Sequence, residues 1–465
     1  MHILDKDLGR ITWAESAQRS AFRPVGRLGL GMLAIVGVLI LTVGLLGGQT
    51  QAVMLGAGIL VAAWLGVSIG ANDVANSLGP AFGARAVGLG VGLVLVAVAE
   101  IAGAVLAGQS VTLRLTGLFD AARLVSGEQA QIVMLAALIG AASWITLATG
   151  IGLPVSTSHS IVGGIAGAGA VAVGLSGVAW ATVARIALVW VATPIVAGGL
   201  AGLLVIFLRS RVIRAPDRWA AALFWLPGLV GVMCALFSAY LVVLIARPVM
   251  VPGIAALIGM VVGAAGFAVT RRSVMQQRVQ TGKPAMRGLL RPALIVAVVM
   301  MGFAHGANDV ANVAGPLSVI LDGTLGGASA LALLGAGVAI AAGTLIFGRR
   351  LVRMVGRGIT RLNASRAFCV ALATACTVLA ASSFGWPVST THIAVGGVFG
   401  VGFAREWMDA RDRRRHAPFP VEERCRRRLI RRSHVATITA AWTVTLPITA
   451  GFGAAVCALL LMIAG

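Results

Sequence analysis

The chain has 465 residues, 58% hydrophobic and only 11% charged, a balance that excludes an ordinary soluble domain and places it among multi-span membrane proteins. A net charge of +22 would suggest nucleic acid in a soluble chain. Here the arginines stand in short loops between apolar runs, where cytoplasmic retention signals belong, so no nucleic-acid partner is expected.

In chain order, a polar start carrying Lys6, Arg10, Arg19, Arg23 and Arg27, unlike a signal peptide, leads into an apolar run from Leu28 to Gly47. About 20 apolar residues as helix cross a hydrocarbon core, so residues 1–50 read as a cytoplasmic segment plus one extra span. Gly70-Ala-Asn-Asp-Val-Ala-Asn76 lies in the next apolar stretch, with Pro80 four residues on. Glu100 stands alone inside a further run, and the loop from Gln109 to Glu128, its arginines balanced by acids, reads as external. Leu153-Pro-Val-Ser-Thr-Ser-His159 follows, then an apolar run from Ile186 to Leu208 that closes a first unit at 53–208.

Basic clusters at Arg209 to Arg218 and Arg271 to Arg291 bracket two connecting spans within 209–291. The unit at 292–465 then repeats the order of the first. Gly306-Ala-Asn-Asp-Val-Ala-Asn312 precedes Pro316, Ala330 to Gly348 is apolar, and Trp386-Pro-Val-Ser-Thr-Thr-His392 answers the earlier Pro-Val-Ser-Thr segment. Val-Gly-Gly follows each histidine, and Trp442 with Pro447 answers Trp190 with Pro194. Two further basic stretches, Arg349 to Arg361 and Arg405 to Arg432, join the cytoplasmic set.

These placements agree only if each Pro-Val-Ser-Thr segment is the tip of a hairpin that returns the chain to its starting side. The two units then enter the membrane from opposite faces. The expectation is an all-α integral membrane protein of the inverted-repeat transporter plan, with about nine full spans plus two helical hairpins and up to 13 apolar segments. It would be multi-pass in the cell inner (plasma) membrane, N-terminus cytoplasmic and C-terminus outside. The 61 glycines point to close helix packing through small faces. Open sheets are excluded because strand edges cannot be satisfied in lipid, and no alternating pattern indicates a barrel. Met and Trp outside the motifs read as lipid-facing or interfacial.

A carboxylate in hydrocarbon is costly, so Asp73 and Asp309, flanked by Asn72, Asn76, Asn308 and Asn312, are candidate functional groups. Carboxylate and amide oxygens suit a hard cation, completed by backbone carbonyls where a helix breaks; the alternative is hydrogen bonding between helices. Ser156, Thr157, Ser158, Ser389, Thr390 and Thr391 put hydroxyls just after proline at helix starts, where free N–H groups and the helix dipole suit an oxyanion; each also suits an ordinary N-cap. No Arg or Lys stands mid-span to neutralise the anion, so a co-transported cation is an electrostatic requirement. Glu100 aligns with Ile340 and His305 with Ile69, both breaking the repeat symmetry. Glu100, His159 and His392 are candidate proton relays; simple packing is the other reading.

The doubled Gly-Ala-Asn-Asp-Val-Ala-Asn at 70–76 and 306–312, with Pro-Val-Ser-Thr-x-His at 154–159 and 387–392, resembles the inorganic phosphate transporters of the Pit family from about residue 53 onward. The resemblance implies a sodium- or proton-coupled phosphate symporter of the low-affinity uptake type, without enzyme activity or cofactor, often a homodimer in the lipid bilayer. It further implies that Asn72, Asp73, Asn76, Asn308, Asp309 and Asn312 line the ion and substrate site, with Na+ at Asp73 and Asp309 where sodium is the coupling ion. Ser156, Thr157, Ser389 and Thr390 would contact phosphate, taken free or as a metal-phosphate complex. Related carriers move sulfate, which stays the near alternative. A membrane sensor that binds anion without turnover is a third reading. ATP-driven transport within the chain lacks a GxxxxGK[ST] loop.

Overall fold

The computed structural model describes Gly29 and residues 50–120, 123–124, 126–151, 156–245, 252–281, 285–322, 329–354, 363–413 and 432–464. The first expected span beyond Gly29, Leu153 to Val155 of the first hairpin tip, and 414–431 of the last basic stretch lie outside them. Nine helices among the described residues are long and apolar enough to cross a membrane, and Thr157–Val173 and Ala330–Ile346 are shorter apolar helices. The fold is all-α, as the composition requires.

The first unit comprises α1 (Thr50–Gly83), α2 (Leu89–Ala107), α3 (Gln109–Thr116), α4 (Gly127–Ile151), α5 (Thr157–Val173) and α6 (Trp180–Leu208). A connecting pair follows, α7 (Arg218–Ile245) and α8 (Pro252–Thr281), then the short α9 (Met286–Leu289). The second unit comprises α10 (Arg291–Asp309), α11 (Ala311–Asp322), α12 (Ala330–Ile346), α13 (Gly348–Met354), α14 (Ala364–Ser383), α15 (Thr390–Arg413) and α16 (Arg432–Ala464).

Packing runs across the units as much as within them. Helix α1 lies on α12 while its counterpart α10 lies on α2; α6 lies on α14 and α15 while α16 lies on α4 and α5; α11 meets α4 while α1 meets α14. Every such contact has its exchanged twin, which a two-fold relation between the halves produces.

Small residues make the approaches close. Gly70 faces the Ile340 carbonyl and Gly306 faces the Glu100 carbonyl, so the structure matches Glu100 to Ile340 as the sequence alignment does. A side chain at either glycine would meet backbone that cannot rotate away.

Two large apolar cores result, with two small clusters beside them. One holds α4, α5, the start of α1 and all of α11; the other holds α14, the end of α1 and the start of α10. Each Gly-Ala-Asn-Asp-Val-Ala-Asn segment therefore lies where its chain crosses from one core to the other. Polar groups placed there face a seam between cores rather than lipid. Two tryptophans depart from the expectation of lipid-facing or interfacial positions: Trp64 and Trp144 are buried, whereas Trp180 and Trp407 are exposed. Large indoles fill the gaps that glycine- and alanine-rich helix faces leave at their junctions.

Candidate ion and substrate site at the hairpin tips

Helix α1 runs unbroken through its motif, whereas the second copy is interrupted at Val310, between α10 and α11. The helix break expected to expose carbonyls is thus present in one copy only. In both, a helical turn sets the aspartate and its two asparagines on neighbouring positions of a buried face.

Asp73 is buried, and its Oδ1 accepts from Thr391 Oγ1 at 3.1 Å, Asn76 Nδ2 at 3.3 Å and Asn72 Nδ2 at 3.4 Å. Asn76 Nδ2 also donates to Thr391 Oγ1 at 2.9 Å, and across the pseudo-symmetry Asn312 Nδ2 donates to Ser158 Oγ at 3.3 Å. Each unit's second asparagine therefore grips the opposite hairpin. Thr390 Oγ1 donates to Asp309 Oδ2 at 3.3 Å, and Ser158 Oγ donates to the Val388 carbonyl at 2.9 Å, joining the two tips. Asn308 commits both ends of its amide to the second hairpin. It donates to Ser382 Oγ (2.9 Å) and the Trp386 carbonyl (3.0 Å), and accepts from the Val388 N–H (2.9 Å).

Ser156 caps α5: its backbone is extended and its hydroxyl accepts from the His159 N–H at 3.3 Å. Ser389 accepts from the His392 N–H at 3.4 Å in the same way. Thr157 lies buried beside this cap. His159 and His392 meet edge to face with ring centroids 4.7 Å apart, and His159 also packs on Trp190 at 3.7 Å. Trp190 Nε1 donates to the Pro387 carbonyl at 2.9 Å, so the two histidines sit in the contact between the hairpins.

The central residue is one the sequence reading left without a role. His305 Nδ1 lies 2.8 Å from Glu100 Oε1, and its Nε2 lies 3.0 Å from Asp309 Oδ2 and 3.9 Å from Asp73 Oδ2. Thr344 Oγ1 donates to the other Glu100 oxygen at 2.8 Å. The signal was present in the repeat comparison, because Glu100 and His305 both lack counterparts and prove to be each other's partner. Asp73, His305 and Asp309 can each offer one ligand atom within 4.8 Å of the others. Asp309 Oδ1 and Asn312 Oδ1 are buried acceptors with no donor among the described residues. Two orphaned hard oxygens in a buried site fit a cation with oxygen preference.

Arg114, read as part of an external loop, instead sits on α3 and holds the turn that enters the second hairpin. Its guanidinium stacks 4.0 Å from the Trp386 ring centre and donates to the Gly385 and Phe384 carbonyls at 3.1 and 3.0 Å. Gly385 has φ +70°, which only glycine adopts without strain. Arg114→Gln is expected to remove about 1–2 kcal/mol from this clamp once its partial exposure is discounted. Thermal melting checks this: the melting temperature should fall, and an unchanged value would show that the contact does not hold the hairpin.

The model of the phosphate transporter family, PHO4, matches residues 69–453. A protein designated a phosphate permease in Helicobacter pylori strain J99 is 35% identical over 418 residues, covering 87% of this chain and 78% of its own. One so designated in Pyrococcus abyssi is 36% identical over 360 residues, covering 74% of this chain and 87% of its own. A solved structure titled "The sodium-dependent phosphate transporter" superposes with a TM-score of 0.77 at 31% identity, covering 88% of this chain and 99% of that one. Doubled Asn-Asp motifs, crossed hairpins and these likenesses agree, and the chain belongs to the phosphate transporter family.

Proposed function

We propose that the chain is a symporter that moves inorganic phosphate together with Na+. The supporting observation is the convergence of Asp73 and Asp309, from opposed units, on the second hairpin's hydroxyls Thr391 and Thr390, with Asp309 Oδ1 and Asn312 Oδ1 left as buried acceptors. Three carboxyl groups against one imidazole leave negative charge that a low-dielectric site must offset with cations. Na+ taken up by Asp73, Asp309 and Asn312, with Asn72 and Asn76 holding Asp73, would make room for an anion beside it. The phosphate then binds at the N-terminal ends of α5 and α15, where Thr157, Ser158, Thr390 and Thr391 supply hydroxyls and the helix dipoles favour an oxyanion. Asn308, Ser156 and Ser389 hold the tips in shape.

The His305–Glu100 contact favours a second reading for the coupling ion, in which a proton is carried instead of sodium. The further readings are low-affinity uptake of free phosphate by a homodimer in the inner membrane, N-terminus inside and C-terminus outside, with units at 53–208 and 292–465. Labelled phosphate uptake into proteoliposomes separates the readings. A sodium gradient at equal pH should drive accumulation above equilibrium. Accumulation driven only by a pH gradient would move the coupling to the proton, and accumulation driven by neither would end the symport reading. Excess sulfate should leave uptake unchanged.

A further inference from the structure

The connecting helices α7 and α8 belong to neither repeat, and a cleft of about 790 Å³ lies along them. Phe207, at the end of α6, lines it with Phe224, Trp225 and Val232 of α7 and with Phe267 and Met275 of α8. Sites that hold small organic ligands run from roughly 300 to 1,000 Å³ with similarly apolar walls. Phe224 and Val232 are 69% and 57% exposed, so the wall is open to the surroundings of a membrane-spanning helix. Trp225 is braced edge-on by Phe207 (5.1 Å) and Phe224 (4.9 Å).

One end of the cleft is basic. Arg271 lines it directly, and the Arg211 guanidinium lies 5.9 Å over the Trp225 ring. Asp217 is the only acid between Arg209 and Thr281, and it is spent on the start of α7, accepting from the Trp219 and Ala220 N–H groups at 2.8 and 3.0 Å. Asp409 of α15 is taken by Arg209 at 2.7 Å and Arg405 at 3.6 Å. Neither acid neutralises Arg211 or Arg271. An apolar channel ending in arginines at the edge of a span matches a lipid tail joined to an anionic head.

We propose that this cleft binds one anionic phospholipid, an acyl chain lying between α7 and α8 and the headgroup phosphate held by Arg271 and Arg211. Charge complementarity selects this occupant. A second copy of the chain meeting the same face through a two-fold axis would bring these arginines against their own equivalents. A free phosphate ion would leave the aromatic walls uncovered. The site is separate from the hairpin tips, and the inference stands whether or not sodium drives transport.

Native mass spectrometry of the detergent-purified full chain tests it, with phosphatidylglycerol, phosphatidylcholine or sodium phosphate added. The chain should retain phosphatidylglycerol at least about tenfold over phosphatidylcholine, at about 1 kcal/mol for each arginine near an anionic headgroup. The double variant Arg211→Gln/Arg271→Gln should lose roughly thirtyfold in retention on the same scale. Gly228→Trp, at a cleft-lining position where an added Cβ has nothing within 4 Å, should fill the cleft and lower retention with the arginines intact. As a readout on the unaltered chain, phosphatidylglycerol should raise the melting temperature more than phosphatidylcholine does. Equal retention of the two lipids, unchanged retention in the arginine variant, displacement of lipid by sodium phosphate, or a Gly228→Trp variant that shifts the monomer–dimer ratio without losing lipid would each overturn the proposal.

Discussion

Asp309→Asn is expected to abolish sodium-driven phosphate uptake while leaving the protein folded. The amide keeps the shape and can still meet Thr390, which lies 3.3 Å from Oδ2, but it removes the charge that faces His305 and that the proposed cation would need. Removing one partner from a buried charged pair costs about 3–5 kcal/mol, or roughly 10²-fold to several thousandfold in cation affinity at constant phosphate. Asp73→Asn should act in the same direction, because the acceptor of Thr391 and Asn76 becomes uncharged. Counterflow of labelled phosphate in proteoliposomes, beside a melting curve, is the measurement. Uptake at the level of the unaltered protein in both variants would remove the aspartates from the coupling site. A loss of folding in Asn variants would instead show that the charges hold the hairpins, and His305→Gln then distinguishes the two: a folded but inactive protein keeps the cluster in the transport cycle.

Gly400→Leu is expected to prevent assembly altogether. A side chain at Gly400 would meet the Gly198 carbonyl, and one at Gly396 the Pro194 carbonyl, where α15 crosses α6. The exchanged crossing repeats the device, with Gly163 against Leu446 and Gly167 against Ala450 of α16. Extra methylenes in a packed core cost about 1–3 kcal/mol when side chains can move aside. Here backbone meets backbone, so the helices must separate and the apolar contact along both is lost with them. Size-exclusion profiles and melting curves should show aggregated or unstable protein for Gly400→Leu and Gly167→Leu, with Gly400→Ala milder. Gly199→Ala is the control, because nothing lies within contact distance of its added methyl. A monodisperse Gly400→Leu protein with an unaltered melting temperature would contradict the crossing.

The sequence displayed the duplication because transport chemistry repeats itself as whole motifs, and seven identical residues cannot hide among apolar spans. The hairpin expectation came from loop charge, since only a returning chain places every arginine cluster on one face. Which groups would touch was not legible. Asn76 meets Thr391 across 315 positions of sequence, and such a pairing depends on how two units cross rather than on any local pattern. His305 went without a role because alignment lists differences between the halves without showing that two differences, Glu100 and His305, occupy one place. Arg114 was taken for a loop charge because composition cannot reveal that α3 tucks beneath the second hairpin. The buried tryptophans were misplaced for a related reason: indole is interfacial by preference, and only the packing of small-residue helices creates interior room for it.

The exchange of partners between the units also bears on the order in which the protein can mature. Helix α5 is covered by α16, the last described helix in the chain, and α4 leans on the same element. During synthesis the first hairpin must wait, its glycine-lined face unoccupied, until some 300 further residues have emerged. A ribosome stalled before Arg432 would leave a membrane intermediate with one crossing complete, α6 on α15, and the other vacant, its glycine-lined face open to lipid.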